Sequence, residues 1–450
     1  MFYTQGMSDM KSSILEKVEK RTAQISVLGL GHVGLPTALI FARAGFHVFG
    51  IDIDASKVDE LNQGQCEISE PGLRDLLVNM LRSGSLHLTT RPDRILESDF
   101  VIICVPTPVR EREPGFGSFK AAIASVRSYS HPGLVILIES TVPPLTTSRL
   151  VLPQLKERGL EIEQNVFVAY CPERLSPTHA LEEFVQNPHV VGGIGPISTE
   201  VAAALMRTVC KEVLQTDALT AEIAKVAENT FRDVNIAYAN LLALITEHFR
   251  GDVSKVIELA NTHPRVKILK PGAGVGGPCI TKDPYLLTYD IPEELTELIR
   301  TCRRLNDEMP NRLTNRVRRL LQEKGVSLSS AKVAVLGVAY KADTEDTSST
   351  PAKLIIEGLL RLGVRVYVYD PFSSQTYGAV RALSLEESLR NADAVMVVTP
   401  HSSFKLIDLE VVRSLTKPRC IMFDGARIFD PSDVARAGLV YSGTGYGVSN

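Results

Sequence analysis

Short apolar runs alternate with amphipathic stretches along the first half of the chain. Each run is rich in Val and Ile and is bounded by Gly, Pro or Asp, as expected for strands buried on both faces of a parallel sheet. The runs that predict strands are Ile25–Leu30, Val48–Ile53, Leu86–Thr90, Phe100–Val105, Leu134–Glu139 and Val166–Tyr170. This pattern predicts an α/β domain over residues 24–217, preceded by an N-terminal extension over residues 1–23 in which Ile14–Val18 could form a short amphipathic turn or helix.

A helical pattern occupies the middle of the chain. From Ala218 to about Arg250 there is no internal Gly or Pro, and a stripe of polar residues indicates one long helix. A loop rich in Gly and Pro follows at Pro271–Pro278, and helical periodicity resumes over Glu294–Gln322. We predict a helical central domain over residues 218–326, built around the long helix.

Strand-like runs begin again near residue 332. They are Lys332–Gly337, Val364–Asp370, Ala394–Thr399 and Ile421–Asp424. A chain of 450 residues is also too long for a single core. The predicted fold class is therefore α/β, with two Rossmann-like doubly wound parallel-sheet domains joined by the helical middle domain, the second covering residues 327–450.

Composition narrows the function classes. Hydrophobic residues make up 44% of the chain and charged residues 22%, and the net charge is −3 without any basic block that could follow phosphates. These values are typical of a globular protein that binds neither nucleic acid nor a membrane surface. The seven Cys are scattered without a C-x-x-C pair, which argues against a metal cage or a disulfide framework and fits a reducing cytosol. Since no apolar stretch resembles a signal peptide or a membrane span, we expect a cytoplasmic protein.

A glycine motif marks the first strand-to-helix junction. Gly29-Leu30-Gly31-His32-Val33-Gly34 is a G-x-G-x-x-G, in which the glycines permit the tight turn, the approach of a pyrophosphate and the packing of helix on strand. Asp52 ends the next strand, 18 residues after Gly34, where a carboxylate accepts from ribose hydroxyls and repels a 2′-phosphate. The alternative is a structural turn with an ordinary strand-end Asp. Strand, helix and acid together favour NAD as the cofactor.

Two other strand exits carry hydroxyl groups. Thr107 lies in Cys104–Pro108 and Thr141 lies in Glu139–Pro143. Open α/β sheets place ligands at the carboxyl ends of their strands, so both hydroxyls are candidates for ligand contact. Pro and Thr are also common in ordinary turns, which is the alternative interpretation.

Cys279 follows a loop that contains four glycines, Pro271–Pro278. Such a loop brings backbone N–H groups close to a ligand, and a helix that begins after it would lower the pKa of the thiol. The alternative role is that of a small buried hydrophobe, the usual fate of a free Cys. We take Cys279 as a candidate nucleophile.

Polar residues elsewhere could complete a reactive site. Four residues of the long helix share one face because their spacings are 3, 4 and 3. They are Glu222, Lys225, Asn229 and Arg232. Asp283 could point back toward Cys279, and Glu173 with Arg174 adds a carboxylate and a guanidinium at a strand end. Solvated salt bridges are the alternative for both groups, although Asn is a poor choice on an exposed helix.

Seven segments in this order resemble the UDP-glucose/GDP-mannose dehydrogenase family. The resemblance spans about residues 24–445 and rests on GLGHVGLP, CVPTP, ESTVPP, YCPERL, AEIAKVAENTFRDVNIA, PGAGVGGPCITKDP and VAVLGVAYKADTEDT. It implies an enzyme that oxidises the C6 alcohol of a UDP-sugar to a carboxylate and reduces two NAD in turn. Relatives of this kind feed surface polysaccharide synthesis.

The resemblance implies a role for each residue that matches a motif. Cys279 would capture the aldehyde as a thiohemiacetal, whose oxidation gives a thioester that water cleaves. Lys225 would act with an ordered water and stabilise oxyanion charge. Asn229 would orient that oxygen, and Asp283 would hold the water and Lys225.

Further contacts follow from the same resemblance. Glu173 and Thr141 would assist proton transfer and thioester hydrolysis. The implied cofactor-binding residues are Gly29, Gly31, His32, Val33, Gly34, Asp52, Lys57, Pro106, Thr107 and Thr141. The implied substrate-binding residues are Arg174, Leu175, Lys225, Asn229, Arg232, His263, Arg265, Gly276 and Lys341. Lys341 would contact the uridine diphosphate on the C-terminal domain, and the long helix would form the core of a homodimer.

The choice of sugar rests on a short segment. His263-Pro264-Arg265-Val266 and the PER at 172–174 resemble the UDP-N-acetyl-D-mannosamine dehydrogenase branch, in which such an Arg reaches the substrate of the neighbouring subunit. UDP-N-acetylglucosamine, UDP-N-acetylgalactosamine and UDP-glucose are the alternatives. Three positions depart from the pattern: Pro278 replaces a His, Ser348 replaces an Arg, and Thr178 replaces a Gly. Ser348 bears most on substrate choice, because a hydroxyl does not replace a fork-shaped cation.

Two other function classes fit parts of the sequence. A non-catalytic NAD- and nucleotide-binding protein would account for Pro278 and Ser348. A two-electron dehydrogenase of the hydroxyacid or phosphogluconate type would share the first domain and the helical bridge, but would have no use for Cys279 or the second sheet. The intact Cys, Lys, Asn and Asp set favours catalysis.

Overall fold

The computed structural model describes residues 2–175 and 179–447, so Thr178 lies outside the described residues. The chain divides into two compact units, Met1–Ala227 with Tyr285–Tyr289, and Glu228–Pro284 with Asp290–Asn450. Each unit contains its own largely parallel sheet, as the strand pattern predicted. The domain boundaries given above stay predictions.

The described residues of the first unit form ten strands. They are β1 (Gln24–Leu28), β2 (His47–Ile51), β3 (Leu86–Thr89), β4 (Phe100–Ile103), β5 (Val109–Arg110), β6 (Glu113–Pro114), β7 (Val135–Ile138), β8 (Phe167–Tyr170), β9 (His189–Gly193) and β10 (Val213–Asp217). Eight form one sheet in the order β10-β9-β8-β7-β4-β1-β2-β3, while β5 and β6 form an antiparallel ribbon.

The six strands predicted in this sheet are confirmed, but β9 and β10 are additional. β9 ends in two glycines, and β10 consists of exposed and half-buried residues without a buried one, so neither presents the apolar run of a central strand. β9 also pairs antiparallel with β8, which departs from the purely parallel sheet that we predicted.

Helices cover both faces of this sheet. They are α1 (Phe2–Glu19), α2 (Gly34–Arg43), α3 (Ala55–Asn62), α4 (Leu73–Ser83), α5 (Gly117–Tyr129), α6 (Leu152–Glu157), α7 (Ala180–Gln186) and α8 (Pro196–Met206), with a 3₁₀ turn at Pro92–Glu97 and a π turn at Thr147–Val151. The helix found in the N-terminal extension is longer than the predicted turn, and it buries Ile14 and Val18 in the core of the unit.

Two long helices dominate the middle of the chain. α9 (Ala218–His248) begins in the first unit and continues into the second, and α12 (Glu293–Glu323) belongs to the second; each has 31 residues. α10 (Val253–Ala260) and the short α11 (Asp283–Leu287) lie between them in the sequence. Both long helices end within about two residues of the positions expected from the periodicity.

The second unit ends in a six-stranded parallel sheet with the order β13-β12-β11-β14-β15-β16. Its strands are β11 (Lys332–Leu336), β12 (Arg365–Tyr369), β13 (Val380–Arg381), β14 (Ala394–Val397), β15 (Ile421–Asp424) and β16 (Val440–Gly443). Its other helices are α13 (Pro351–Arg361), α14 (Leu385–Leu389), α15 (Leu409–Leu415) and α16 (Pro431–Arg436), with a 3₁₀ turn at Ser402–Leu406. No helix in the described part of the chain is long and apolar enough to cross a membrane.

Candidate active site

The glycine motif forms the turn between β1 and α2. Gly29 has φ +91°, and a Cβ there would lie 2.6 Å from the carbonyl oxygen of Cys104. A Cβ on Gly34 would lie 1.8 Å from the carbonyl oxygen of Gly29. At Gly31, by contrast, a Cβ would meet no atom within 4 Å. The fold itself therefore requires Gly29 and Gly34, whereas the open space at Gly31 fits the predicted approach of a pyrophosphate.

Asp52 lies directly after β2 and closes this turn. Its Oδ2 accepts hydrogen bonds from Leu30 N at 2.8 Å and from Lys57 Nζ at 3.1 Å, and its Oδ1 accepts from Asp54 N at 3.1 Å. Burial alone raises the pKa of Asp52, but these hydrogen bonds and the Lys57 charge outweigh it and lower the pKa below its ordinary value. The carboxylate is therefore ionised at neutral pH, as an acceptor for ribose hydroxyls must be.

The two hydroxyl-bearing strand exits contact each other. Thr107 Oγ1 donates to the carbonyl oxygen of Thr141. Ser140, which the sequence pattern did not indicate, accepts from Val105 N at 2.9 Å and donates to Val105 O at 2.8 Å. These bonds hold both strand exits at the carboxyl edge of the sheet. The residues can therefore form ordinary turns and also lie where a ligand would contact them.

A buried carboxyl group lies beneath this edge. Glu139 Oε2 accepts hydrogen bonds from Thr37 Oγ1 of α2 at 2.9 Å and from Cys104 Sγ at 3.0 Å. Burial raises the pKa of Glu139 to about 7, against the lowering effect of those two hydrogen bonds. The sequence pattern did not identify Glu139, because a Glu at a strand end carries no signal of its burial.

Lys225 and Glu173 form an ion pair inside the first unit. Lys225 Nζ donates to Glu173 Oε1 at 3.0 Å and to the carbonyl oxygen of Glu173 at 2.6 Å. Only 5% of the Lys225 side chain and 11% of the Glu173 side chain are exposed. Thus the solvated alternative is wrong for both residues. One turn earlier, Glu222 accepts from Leu145 N at 2.6 Å and from Thr147 N at 2.8 Å, so its role is to anchor the loop after β7.

In the second unit, Cys279 lies in a turn after the glycine loop. Its carbonyl oxygen accepts from Lys282 N at 3.0 Å and from Asp283 N at 2.8 Å. A helix does follow Cys279, as we had expected, but α11 is short and begins only at Asp283. Cys279 is nevertheless solvent-exposed, which excludes the role of a buried hydrophobe.

Asp283 and Asn229 contact each other, which the sequence pattern had not specified. Asn229 Nδ2 donates to Asp283 Oδ2 at 2.7 Å, and Asp283 is buried. Because Asp283 N also bonds the carbonyl oxygen of Cys279, the three residues Asn229, Asp283 and Cys279 form one connected group within the second unit.

The departures Ser348 and Pro278 flank this group. Gly277 N donates to the carbonyl oxygen of Ser348 at 2.9 Å, so position 348 supports the glycine loop through its main chain. A Cβ on Gly276 would lie 2.6 Å from Tyr340 Cβ, which explains glycine there by packing alone. Pro278 is exposed and precedes Cys279 directly.

The remaining predicted substrate residues occupy varied positions. Arg174 Nη1 donates to Pro188 O at 3.1 Å, and Leu175 N donates to Glu173 Oε2 at 2.8 Å, so both stabilise the loop after β8. The other predicted residues are solvent-exposed and are Arg232, His263, Arg265 and Lys341. The structure therefore leaves their side chains accessible to a ligand.

The turn after the first strand of the second sheet, β11, resembles the glycine turn after β1. Asp370, after β12, accepts from Val338 N at 2.7 Å as Asp52 accepts from Leu30 N, but it also accepts from Phe372 N at 2.8 Å and from His401 Nε2 at 3.0 Å. The hydrogen bonds from His401 and the backbone outweigh burial and lower the pKa of Asp370 to about 2. Asp370 accepts from five protein donors, because Ala339 N and Ser373 N also bond it, whereas Asp52 accepts from three. Asp370 is therefore less suited than Asp52 to bind ribose hydroxyls.

Family models match the chain over most of its length. The NAD binding domain of the UDP-glucose/GDP-mannose dehydrogenase family matches residues 23–213, its central domain matches residues 219–308 and its UDP binding domain matches residues 334–431. The chain belongs to the UDP-glucose/GDP-mannose dehydrogenase family. The resemblance drawn from the motifs is thus confirmed.

Relatives and solved structures agree with this assignment. The chain is 38% identical over 425 residues to the UDP-N-acetyl-D-mannosamine dehydrogenase of Pyrococcus horikoshii, covering 94% of this chain and 99% of that one. It is 36% identical over 404 residues to the NDP-N-acetyl-D-galactosaminuronic acid dehydrogenase of Ralstonia nicotianae, covering 87% and 93%. The solved structure of the UDP-D-ManNAc dehydrogenase from Pyrococcus horikoshii matches with a TM-score of 0.89 at 38% identity, covering 95% of this chain and 100% of that one.

The enzyme is an NAD-dependent nucleotide-sugar dehydrogenase. The open space at Gly31 and the ionised Asp52 fit the pyrophosphate and the ribose of NAD. The residues assigned to the cofactor and to proton transfer lie in the first unit, whereas Cys279, Asn229 and Asp283 lie in the second.

Proposed function

We propose that this enzyme oxidises the C6 hydroxyl of UDP-N-acetyl-D-mannosamine to the uronate in a four-electron reaction that passes through a covalent bond to Cys279. The alcohol, two NAD⁺ and one water give the carboxylate, two NADH and three protons. The observation that carries the proposal is the exposure of Cys279. Among the seven cysteines it is the exposed one, while the other six are buried or half-buried.

The covalent step uses Cys279 as nucleophile. Its sulfur would add to the C6 aldehyde to give a thiohemiacetal, and loss of a second hydride would give a thioester, from which water displaces the thiol. A thiol suits both steps because it is a strong nucleophile and a good leaving group. NAD, when bound, supplies the acceptor for each hydride.

Charged residues would stabilise the oxygen at C6. Lys225 would donate to this oxygen when it carries negative charge, and the ion pair with Glu173 would keep the ammonium in place. Glu173 would accept the proton that the hydroxyl or the hydrolytic water loses, with Thr141 assisting. Asn229, held by Asp283, would orient the same oxygen.

Two supports favour the N-acetylmannosamine derivative. Curated relatives of that name match at 35–39% identity, and the exposed His263 and Arg265 fit the segment that distinguishes this branch. Arg265 would reach the substrate bound by a second copy of the chain. UDP-N-acetylglucosamine, UDP-N-acetylgalactosamine and UDP-glucose are the alternative substrates.

A homodimer would place such a second copy against α9. An exposed apolar row runs along this helix and continues to the residue after its end; it consists of Phe231, Tyr238, Leu241, Ile245 and Phe249. A contiguous row of exposed apolar side chains typically marks a protein–protein interface. Light scattering should give twice the chain mass for the wild type, and the Phe231→Glu/Phe249→Glu variant should shift it toward one chain mass.

The test of the reaction is the number of NADH molecules formed per sugar. Limiting UDP-N-acetyl-D-mannosamine with excess NAD should give two NADH, and Cys279→Ser should abolish this yield. The matched control is Cys66→Ser, which changes a half-buried thiol outside the proposed mechanism and should keep the yield of two.

The other outcomes discriminate among the alternatives. A ratio of two with another UDP-sugar keeps the mechanism and changes the substrate, whereas a ratio of one indicates a two-electron dehydrogenase. NAD binding without turnover of any UDP-sugar would establish a non-catalytic protein. A Cys279→Ser variant that still yields two NADH would refute the covalent mechanism.

A further inference from the structure

A chain of buried polar groups connects α12 and α9 with the glycine loop in the second unit. Gly272 N donates to Asn240 Oδ1 at 2.9 Å, Asn240 Nδ2 donates to Asn306 Oδ1 at 2.9 Å, and Asn306 Nδ2 donates to Asp233 Oδ1 at 2.8 Å. Arg303 Nη1 donates to the same carboxylate oxygen. Since all four side chains are at most 2% exposed, water does not compete for these bonds.

The groups at the two ends of this series of hydrogen bonds, Gly272 N and the Asp233 carboxylate, determine the orientation of both amides. A backbone N–H at Gly272 can only donate, so Asn240 must turn its oxygen toward it and its nitrogen toward Asn306. Asn306 must then accept from Asn240 and donate to Asp233, whose carboxylate can only accept. The orientation of the amide oxygens and nitrogens is therefore decided by the hydrogen-bonding partners, and every donor points toward Asp233.

The same residues contact the loop at a second place. Gly274 has φ +127°, and a Cβ there would lie 3.0 Å from the carbonyl oxygen of Asn306 and 3.2 Å from Pro310 Cδ. Pro310 lies inside α12 and has no N–H, so Asn306 O lacks the partner that the helix would normally provide. The absence of that hydrogen bond and of a side chain on residue 274 lets the loop lie against the helix.

We infer that Asp233, Asn306 and Asn240 form a directional hydrogen-bond relay that positions the loop carrying Cys279. The inference rests on the proposed function, because the relay acts on the reaction through Cys279. These three are positioning residues, since none of them is proposed to touch the substrate. Arg303 neutralises the buried carboxylate, and its Nη2 also donates to Asp307 Oδ1 at 2.9 Å.

The direction of the hydrogen bonds, from donor to acceptor, can be tested with isosteric substitutions. Asn240→Asp keeps an acceptor for Gly272 N but turns a second acceptor toward Asn306 Oδ1, so the Asn306 oxygen must face one of two carboxylates. Asp233→Asn keeps an oxygen for Asn306 and Arg303, so it preserves the direction of the relay. Asn306 cannot simply turn over in either variant, because its Nδ2 also donates to the carbonyl oxygen of Asp233 at 3.0 Å.

The first measurement is the steady-state kinetics with NAD and UDP-N-acetyl-D-mannosamine. Asn240→Asp should lower kcat roughly 10- to 100-fold, the effect of misplacing a reacting group by about 1 Å. The KM for NAD should be unchanged, because the cofactor loop belongs to the first unit. Asp233→Asn should lower kcat less than Asn240→Asp, because its amide oxygen still accepts from Asn306 Nδ2.

The second measurement is the rate of Cys279 alkylation by iodoacetamide as a function of pH, read from the modified peptide. Asn240→Asp should change this rate and its pH profile, whereas Asp233→Asn should leave both closer to wild type. Thr246→Val is the matched control. Thr246 is also buried on α9 and donates to Leu242 O at 2.7 Å, but it does not belong to the relay. This control should keep wild-type kcat and alkylation.

Two results would overturn the relay. One is an Asp233→Asn variant as slow as Asn240→Asp, which would mean that the direction of the hydrogen bonds does not matter. The other is wild-type kcat and alkylation in Asn240→Asp. If Asn240→Asp does not fold, Asn240→Ser, whose shorter side chain cannot bridge Gly272 and Asn306, must show the loss of kcat instead, and wild-type kcat in that variant also contradicts the relay. A failure of the proposed function appears separately, as Cys279→Ser protein that still produces two NADH per sugar.

Discussion

The glycine motif allows fold and cofactor binding to be separated by two substitutions three residues apart. In Gly34→Ala the new Cβ would lie 1.8 Å from Gly29 O, so the backbone of the turn must move by more than 1 Å. Overpacking of this kind costs up to about 3 kcal/mol. For a unit of this size, that cost lowers Tm by roughly 6–12 °C.

Gly31→Ala should behave in the opposite way. Its Cβ meets no protein atom within 4 Å, and Gly31 is not among the residues with positive φ. The folded protein should therefore keep its Tm or gain slightly, because Ala restricts the unfolded chain and stabilises by about 0.4–1 kcal/mol. The methyl group would instead hold the pyrophosphate away from the backbone, and loss of one charged hydrogen bond costs about 1.5–3 kcal/mol. That cost raises the Kd for NAD roughly 10- to 150-fold.

Thermal unfolding without and with NAD, together with an NAD titration, tests the pair. Gly34→Ala should show a low Tm without ligand, whereas Gly31→Ala should show a wild-type Tm that a given NAD concentration raises less than in the wild type. Wild-type NAD affinity in Gly31→Ala, or an equal loss of Tm in both variants, would refute the assignment of the pyrophosphate to the open space at Gly31.

Three further predictions concern ionisable groups. Lys225→Met should lower kcat roughly 10²- to 10³-fold, because it removes a donor to the developing oxyanion, and equal kcat in wild type and variant would exclude this role. Glu139→Gln should gain stability relative to wild type as pH rises from about 4.5 to 7, because over this range the unfolded carboxyl releases its proton whereas the buried one, with its pKa raised to about 7, keeps it. Urea unfolding across this range checks the sign. Asp370→Asn should lose about 2 kcal/mol of unfolding free energy at pH 7, and this deficit should narrow below pH 4 and vanish toward the folded pKa of about 2.

The residue pattern by itself determined most of the fold. Buried strands such as β1 and β4 are continuous apolar runs, and the glycine turn before α2 has a fixed spacing, so local sequence specifies both. The pattern did not predict β9 and β10. These segments form strands because they pair with a neighbouring strand, and their own residues do not show a strand pattern. It also could not show that β9 runs antiparallel, since strand direction depends on the path of the connection.

The candidate residues were predictable by type, but their environments were not. Spacing placed Lys225 and Asn229 on one helix face, yet only the tertiary structure buries Lys225 against Glu173 and joins Asn229 to Asp283. Residues such as Asn240 and Asn306 contact each other across 66 positions and leave no periodic signature. Sequence therefore specified the chemistry that local geometry can encode, whereas burial, charge state and long-range hydrogen bonds were decided by the packing of distant segments.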